Sequence, residues 1–322
     1  MSEFEVWFDK GVTDGLPVIP PTRERVERML GGTGRDRAEV LGEMPPNYGR
    51  LTVEKAAINA VMAGCRPEYF PVIGAALTAI GDPNFELHGP ATSTGGAALM
   101  LIVNGPVRRR LGIHGKANLF GPGFRANATI GRALRLTLIN AGGALPGVYS
   151  KTSFGSPLRY SYICGENEEA NPWTPFHVDR GFKREDSTVT AFKASNFCNI
   201  SGGEGVGAEE ILRQIATNMP PMYGGGDGVL LLLGVNHAQS LFEAGLTKRD
   251  VKQRLWELAR LPISHFAEAF SSTERAHGRG DDKSVWRASS PDEIYIAVAG
   301  GAGPQNVYIG AGMPQTRVVR GL

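Results

Sequence analysis

The run Glu166-Asn167-Glu168-Glu169, followed by Trp173, His177 and Asp179, places three carboxylates within four residues and an imidazole close behind. Crowded carboxylates raise one another's pKa, so such a loop can supply a general base near neutral pH, or oxygen ligands to a divalent metal. The expected catalytic groups here are Glu166, Glu168, Glu169 and His177, with Asn167 and Trp173 contacting substrate; a solvated acidic loop is the plainer alternative. A second candidate lies in Phe120–Arg132, where Gly121 and Gly123 precede a helix. Free N–H groups and the positive dipole end at a helix start, with Arg125 beside them, make a natural anion site. Asn127 reads as the cap and Thr129 as a first-turn neighbour; the alternative is a glycine turn that packs a helix on a sheet. The loop lacks the Gly-Lys-Ser/Thr ending of a phosphate loop and does not complete GxGxxG, so a substrate carboxylate or phosphate is expected rather than a nucleotide.

Cys65 is followed by Arg66 and by a helix starting at Pro67. A thiol near a helix N-terminus and a cation has a lowered pKa, the condition for a nucleophile; a small buried apolar residue is the alternative. His114 and His237 fall in turns beside strands and could meet the same ligand as the anion loop. Cys164 and Cys198 read as structural. There is no HExxH, Cys-x-x-Cys, EF-hand or Gly-x-Ser-x-Gly pattern, so no strong metal or serine-hydrolase signature exists.

These groups need elements to hold them. The segment 14–22 reads as a proline-stiffened arm, Thr22 caps a helix over 23–30, and 35–50 reads as loop. Helices from Thr52 to Gly64 and over 68–80 form a hairpin through Gly64-Cys65-Arg66. The apolar run 97–103 predicts a strand covered on both faces, followed by Asn104-Gly105-Pro106, a short helix over 107–111, a glycine-rich loop over 112–123 and a helix over about 126–140. Residues 229–233 begin a similar series, with helices to 244 and over 247–259. A strand over 293–299 leads into Gly300–Gly303. Residues 160–163 and 187–193 alternate like half-exposed strands, and Arg108–Arg110 reads as a solvated helix face. The expected class is α/β with mostly parallel buried strands, Gly-rich strand-to-helix turns and an internal duplication. The expected division is an N-terminal arm and helical hairpin over 1–90 and an α/β core over 91–322, the core splitting into related halves at 91–200 and 201–322.

Composition narrows the class. Of 322 residues 43 are Gly and 21 are Pro, and the formal charge is +2. A hydrophobic share of 42% with so little net charge excludes disorder, and the glycines lack the period of collagen. No apolar run has the length of a membrane span, and the near-neutral charge gives no reason to expect nucleic acid or a membrane surface. Three cysteines and no signal-like N-terminus point to the cytoplasm.

The segments DGLPVIPPT (14–22), AVMAGCRPEYFPV (60–72), GPGFRANATIGRALR (121–135), ENEEANPWTPFHVDRGF (166–182) and VAGGAGPQ (298–305) run in this order. With them the chain resembles, over nearly its whole length, the large component of a sparsely characterised bacterial two-component family. The small partner in that family carries a UGSC motif, selenocysteine or cysteine followed by Gly-Ser-Cys. The resemblance implies that a reactive selenol or thiol comes from a second chain, since this one has no such motif. It also singles out Cys65, Arg125, Asn127, Glu166–Glu169, Trp173 and His177. One departure bears on the substrate: His114 and Lys116 stand where the family has Gly/Ser-rich sequence. The leading expectation is a subunit of a cytosolic enzyme that cleaves a carbon–heteroatom bond of a small anionic organic substrate, lyase- or hydrolase-type, using a thiol from Cys65 or a partner. A thiol-based oxidoreductase and a non-catalytic binding or scaffold subunit are the alternatives. The expected partner is a small cysteine- or selenocysteine-containing subunit or a second copy of this chain.

Overall fold

The computed structural model describes residues 3–219 and 228–321, so the glycine-rich stretch 224–227 lies outside the described residues. The chain starts with α1 (Glu3–Asp9), the extended arm and α2 (Arg23–Leu30), whose cap Thr22 accepts from the Arg25 N–H. Where the sequence reads as loop, β1 (Val40–Met44) and β2 (Gly49–Thr52) pair as an antiparallel hairpin. Its Gly and Pro content hides the strands. The helical hairpin is present: α3 (Val53–Ala63) is capped by Thr52 and ended by Gly64, and α4 (Phe70–Ile80) follows a 3-10 turn over Pro67–Tyr69.

After α5 (His88–Thr92) come β3 (Ala98–Asn104), α6 (Pro106–Arg110), α7 (Arg125–Asn140), β4 (Ile163–Gly165), α8 (Phe176–Asp179), β5 (Thr188–Ala194) and β6 (Cys198–Ser201). The second part runs α9 (Ala208–Thr217), β7 (Gly228–Leu233), α10 (Val235–Glu243) and α11 (Lys248–Leu258). A small excursion, β8 (Arg260–Pro262), α12 (Glu268–Ala276) and β9 (Ser284–Trp286), precedes β10 (Ile294–Val298), β11 (Gln305–Ala311) and β12 (Gln315–Val318).

The main sheet is mixed, which corrects the expectation of mostly parallel strands. Only β3–β4 and β7–β10 are parallel; β5, β6, β11 and β12 join antiparallel. β5 lies antiparallel against β3 and β11 antiparallel against β7, each following in the chain the strand that completes a parallel pair. β5 and β11 share one residue pair, Ala194 with Ala311, so the sheet folds over there into two leaves. One leaf is β4-β3-β5-β12 and the other β10-β7-β11-β6. Each therefore takes its fourth strand from the other half of the chain.

Alternation along the strands explains the layers. Met100, Ile102, Cys164 and Phe192 of the first leaf pack with Leu230, Leu232, Ala297 and Ile309 of the second in one interior cluster. The intervening residues face outward. Leu101, Val103, Ile163, Val189 and Ala191 pack under α2, α3, α4 and α7, and Leu231, Leu233, Ile296 and Val298 under α9, α10 and α11. Residues 1–90 thus share one core with the first leaf. β5 is buried on both faces, not half-exposed, because α4 covers its outer side. The order helix, sheet, sheet, helix leaves the ends of the leaves as the places where loops converge.

Candidate functional site

Glu166 follows β4 directly and is fully buried. Its carboxylate accepts four hydrogen bonds: Asn104 Nδ2 (2.5 Å) and the Phe176 N–H (2.7 Å) on one oxygen, Asn171 Nδ2 (2.8 Å) and the Val298 N–H (3.3 Å) on the other. The Asn167 N–H donates to the Val298 carbonyl at 2.8 Å, so this point stitches the edge of the first leaf to the edge of the second. Burial pushes the Glu166 carboxyl up, while the charge of Lys248 and the Phe176 and Asn104 donors pull it down. Glu168 accepts from the Gly105 N–H (2.6 Å) and from Asn104 (3.1 Å). Gly105 has φ +79°, and a Cβ there would meet the Asp186 carbonyl at 2.0 Å, so only glycine allows this approach.

Arg108 is buried and donates to Glu169 at 2.7 Å, which holds the Glu169 carboxyl below the usual range. The basic run is therefore not a solvated face at this residue. A buried guanidinium needs counter-charge, and the acidic loop supplies it. All three carboxylates are engaged by neighbouring groups, Glu166 and Glu168 by Asn104 and backbone N–H groups and Glu169 by Arg108. Among the described residues no group of three His, Cys, Asp or Glu side chains is placed to hold a metal ion.

The glycine loop is likewise held from within. Asn127 is not the cap; α7 starts at Arg125 after Phe124, and Asn127 lies buried in the first turn. Its Oδ1 accepts from the His114 N–H (2.8 Å), and its Nδ2 donates to the carbonyls of His114 (3.0 Å) and Ile163 (3.1 Å). Arg125 donates twice to the Gly64 carbonyl, at 2.9 and 3.2 Å, closing the end of α3. Thr129 Oγ1 donates to the Arg125 carbonyl, and His114 stacks on Phe124 with its Nε2 2.6 Å from the Ala117 carbonyl. Gly123 has φ +113°, and Gly121 sits against the Asn118 side chain.

Cys65 is buried and its Sγ donates to the Thr129 carbonyl at 3.2 Å. Burial pushes its thiol up to about 12, against the weaker pull of Thr129 and Arg125, so the lowered value expected of a nucleophile is not found. Cys164, interior to the leaves, is raised for the same reason. Trp173 donates to the Leu246 carbonyl at 2.9 Å and packs edge-on to Phe242. His177 is fully buried with Nε2 3.4 Å from the Arg184 carbonyl. His237, also buried, has its Nδ1 2.8 Å from Asn306 Nδ2, and Asn306 Oδ1 accepts from the Gly234 N–H.

The loops do converge, through backbone. The Gly300 N–H donates to the Gly115 carbonyl, and Asn167 Nδ2 donates to the Gly300 carbonyl at 3.1 Å. Between the 117–121 loop and the 299–307 strand-loop lies a cleft of about 600 Å³. Its polar wall is Asn118, Asn199, Gln305 and Asn306, with Phe120 and Phe197 opposite each other edge-to-face. Among the described residues no Asp, Glu, Lys, Arg, His or Cys lines it. Of the residues expected to bind or react, only Gly121 reaches this wall. Asn167, His114 and His237 sit one hydrogen bond behind it, and Arg125, Thr129 and Cys65 form a separate cluster against α3. The amides of Asn199, Gln305 and Asn306 were missed because isolated amides carry no motif; the Gly300–Gly303 segment before Gln305 was the available signal.

Comparison with models of known protein families gives no match to this chain, and comparison with curated protein sequences gives none either.

Proposed function

We propose that this chain is the substrate-holding subunit of a two-component cytoplasmic enzyme that cleaves a carbon–heteroatom bond of a small carboxylate- or amide-bearing molecule. The cleft walled by residues 117–121 and 299–307 takes the substrate, and a small second chain donates the reactive thiol or selenol. The observation that carries this reading is the composition of the cleft: amide side chains and glycine backbone for recognition and, among the described residues, no titratable side chain for chemistry. Pockets of several hundred Å³ with a few polar groups are typical of small-ligand sites. The buried, high-pKa Cys65 and Cys164 support a thiol supplied from outside over a thiol oxidoreductase of this chain alone. We also infer that the halves 91–200 and 201–322 arose by duplication, since β3-β4-β5-β6 and β7-β10-β11-β12 repeat one topology, exchanged last strand included.

The test has two arms. A thermal-shift screen of small carboxylates and amides should yield a ligand for the wild type that Ala302→Trp, which narrows the cleft at an exposed position, no longer binds. Turnover should appear only on adding the small component. Turnover by this chain alone, abolished by Cys65→Ser, would overturn the assignment, and a complex that binds ligand without turnover would show a binding subunit.

A further inference from the structure

Away from that cleft, the segment 145–160 folds back over the C-terminal half of α7 and walls a second cleft of about 510 Å³. Two guanidiniums meet in it. Arg159 is fixed as a planar fork: Nε donates to the Ala97 carbonyl (3.0 Å), one terminal nitrogen to Ser150 Oγ (2.8 Å) and the other to the Pro90 carbonyl (3.1 Å). Arg135, from α7, has no hydrogen bond or ion pair among the described residues and is partly buried. The acidic side chain on this wall, Asp14, accepts from Arg132 on both oxygens at 2.8 Å, and its charge also reaches Arg135. The two guanidiniums are therefore held together with one carboxylate near them, Asp14, which is bonded to Arg132 and balances Arg135 only through space. Burial and the charge of Arg135 push Arg159 down to about 10, and burial lowers Arg135 against the opposing pull of Asp14 and Tyr160.

The rest of the wall suits an oxyanion. Thr152, Ser153 and Ser156 follow one another on the loop, and the Thr152 and Ser153 hydroxyls are given to no other group among the described residues. Gly147 (φ +76°) and Gly155 (φ +68°) allow the turns that bring these hydroxyls round. Phe154 stands fully exposed on the rim, with Tyr160 half in water beside it. Exposed aromatic surface at a cleft is costly in water and is recovered by an apolar group laid against it. We propose that this cleft binds a phosphomonoester of a flat organic group, the dianion held by Arg135, Arg159 and the Thr152–Ser153 hydroxyls and the organic part stacked on Phe154. Guanidinium forks and hydroxyls match phosphate oxygens in both charge and geometry.

Arg135 is the residue to change, since it holds no hydrogen bond whose loss would unfold the chain. In calorimetric titrations of the whole chain at low salt, inorganic phosphate and phenyl phosphate should both bind, the latter several-fold tighter. Arg135→Gln should weaken both by at least about tenfold, equivalent to about 1.4 kcal/mol. Phe154→Ala should abolish the preference for phenyl phosphate and leave inorganic phosphate unchanged. Ala302→Trp should affect neither, which separates this site from the amide-lined cleft. No binding up to about 10 mM ligand, or wild-type affinity in Arg135→Gln, would overturn the proposal.

Discussion

Replacing Asn127 by alanine removes the tie between the glycine loop, α7 and β4. The His114 N–H loses its only acceptor, and an orphaned buried donor costs about 1–3 kcal/mol. The His114 carbonyl keeps the Gly165 N–H, so that lost bond and the one to Ile163 count as ordinary bonds of about 1 kcal/mol each. The sum is about 4 kcal/mol, or roughly 6 °C in melting temperature for a chain of 322 residues. Thermal unfolding gives the magnitude, and hydrogen exchange of the 112–123 amides shows where it falls. Asn127→Asp should be worse at neutral pH, because its carboxylate would face two carbonyl oxygens. That contact raises the folded pKa of the new acid, so its deficit shrinks as pH falls toward the ordinary aspartate range of about 4. A drop under about 2 °C in Asn127→Ala with unchanged exchange would refute the tie, as would an Asn127→Asp deficit that grows on acidification.

Two further outcomes follow from the buried groups. With Cys65 pushed to about 12, alkylation of the native chain at pH 8 and peptide mapping should leave Cys65 and Cys164 unmodified until denaturant is added; native labelling of Cys65 would contradict its burial. In Glu166→Gln an amide NH2 replaces one of two oxygens that each accept two donors, which should cost about 2–4 kcal/mol. Because burial raises the Glu166 carboxyl above its ordinary 4.5, its contribution is fullest below that value and falls as pH rises through the raised one. The margin of wild type over Glu166→Gln should therefore be larger at pH 4 than at pH 8, and a constant margin would count against it.

Local signals in the sequence carried the helices and the apolar strands well. Thr22 and Thr52 cap where they stand, and residues 98–104, 125–140 and 228–233 form the elements their patterns predict. The antiparallel strands escaped because strand direction is a property of the connection, not of the residues in the strand. The roles of Glu166, Arg108 and Asn127 escaped for a related reason. Each is decided by a partner far along the chain, Val298, Glu169 or Ile163, and no spacing rule relates them. The acidic segment that looks reactive in one dimension is where the chain satisfies the buried charge of Arg108.

The exchanged strands have a consequence for synthesis. β5 offers an unpaired edge as soon as residue 194 is made, and its cover, β12, is Gln315–Val318, made about 120 residues later. Throughout that interval the first leaf exposes backbone groups able to pair with another nascent chain. Deleting Gln315–Val318 should therefore leave a permanent edge for strand addition, and aggregation rather than simple loss of stability is the expected result.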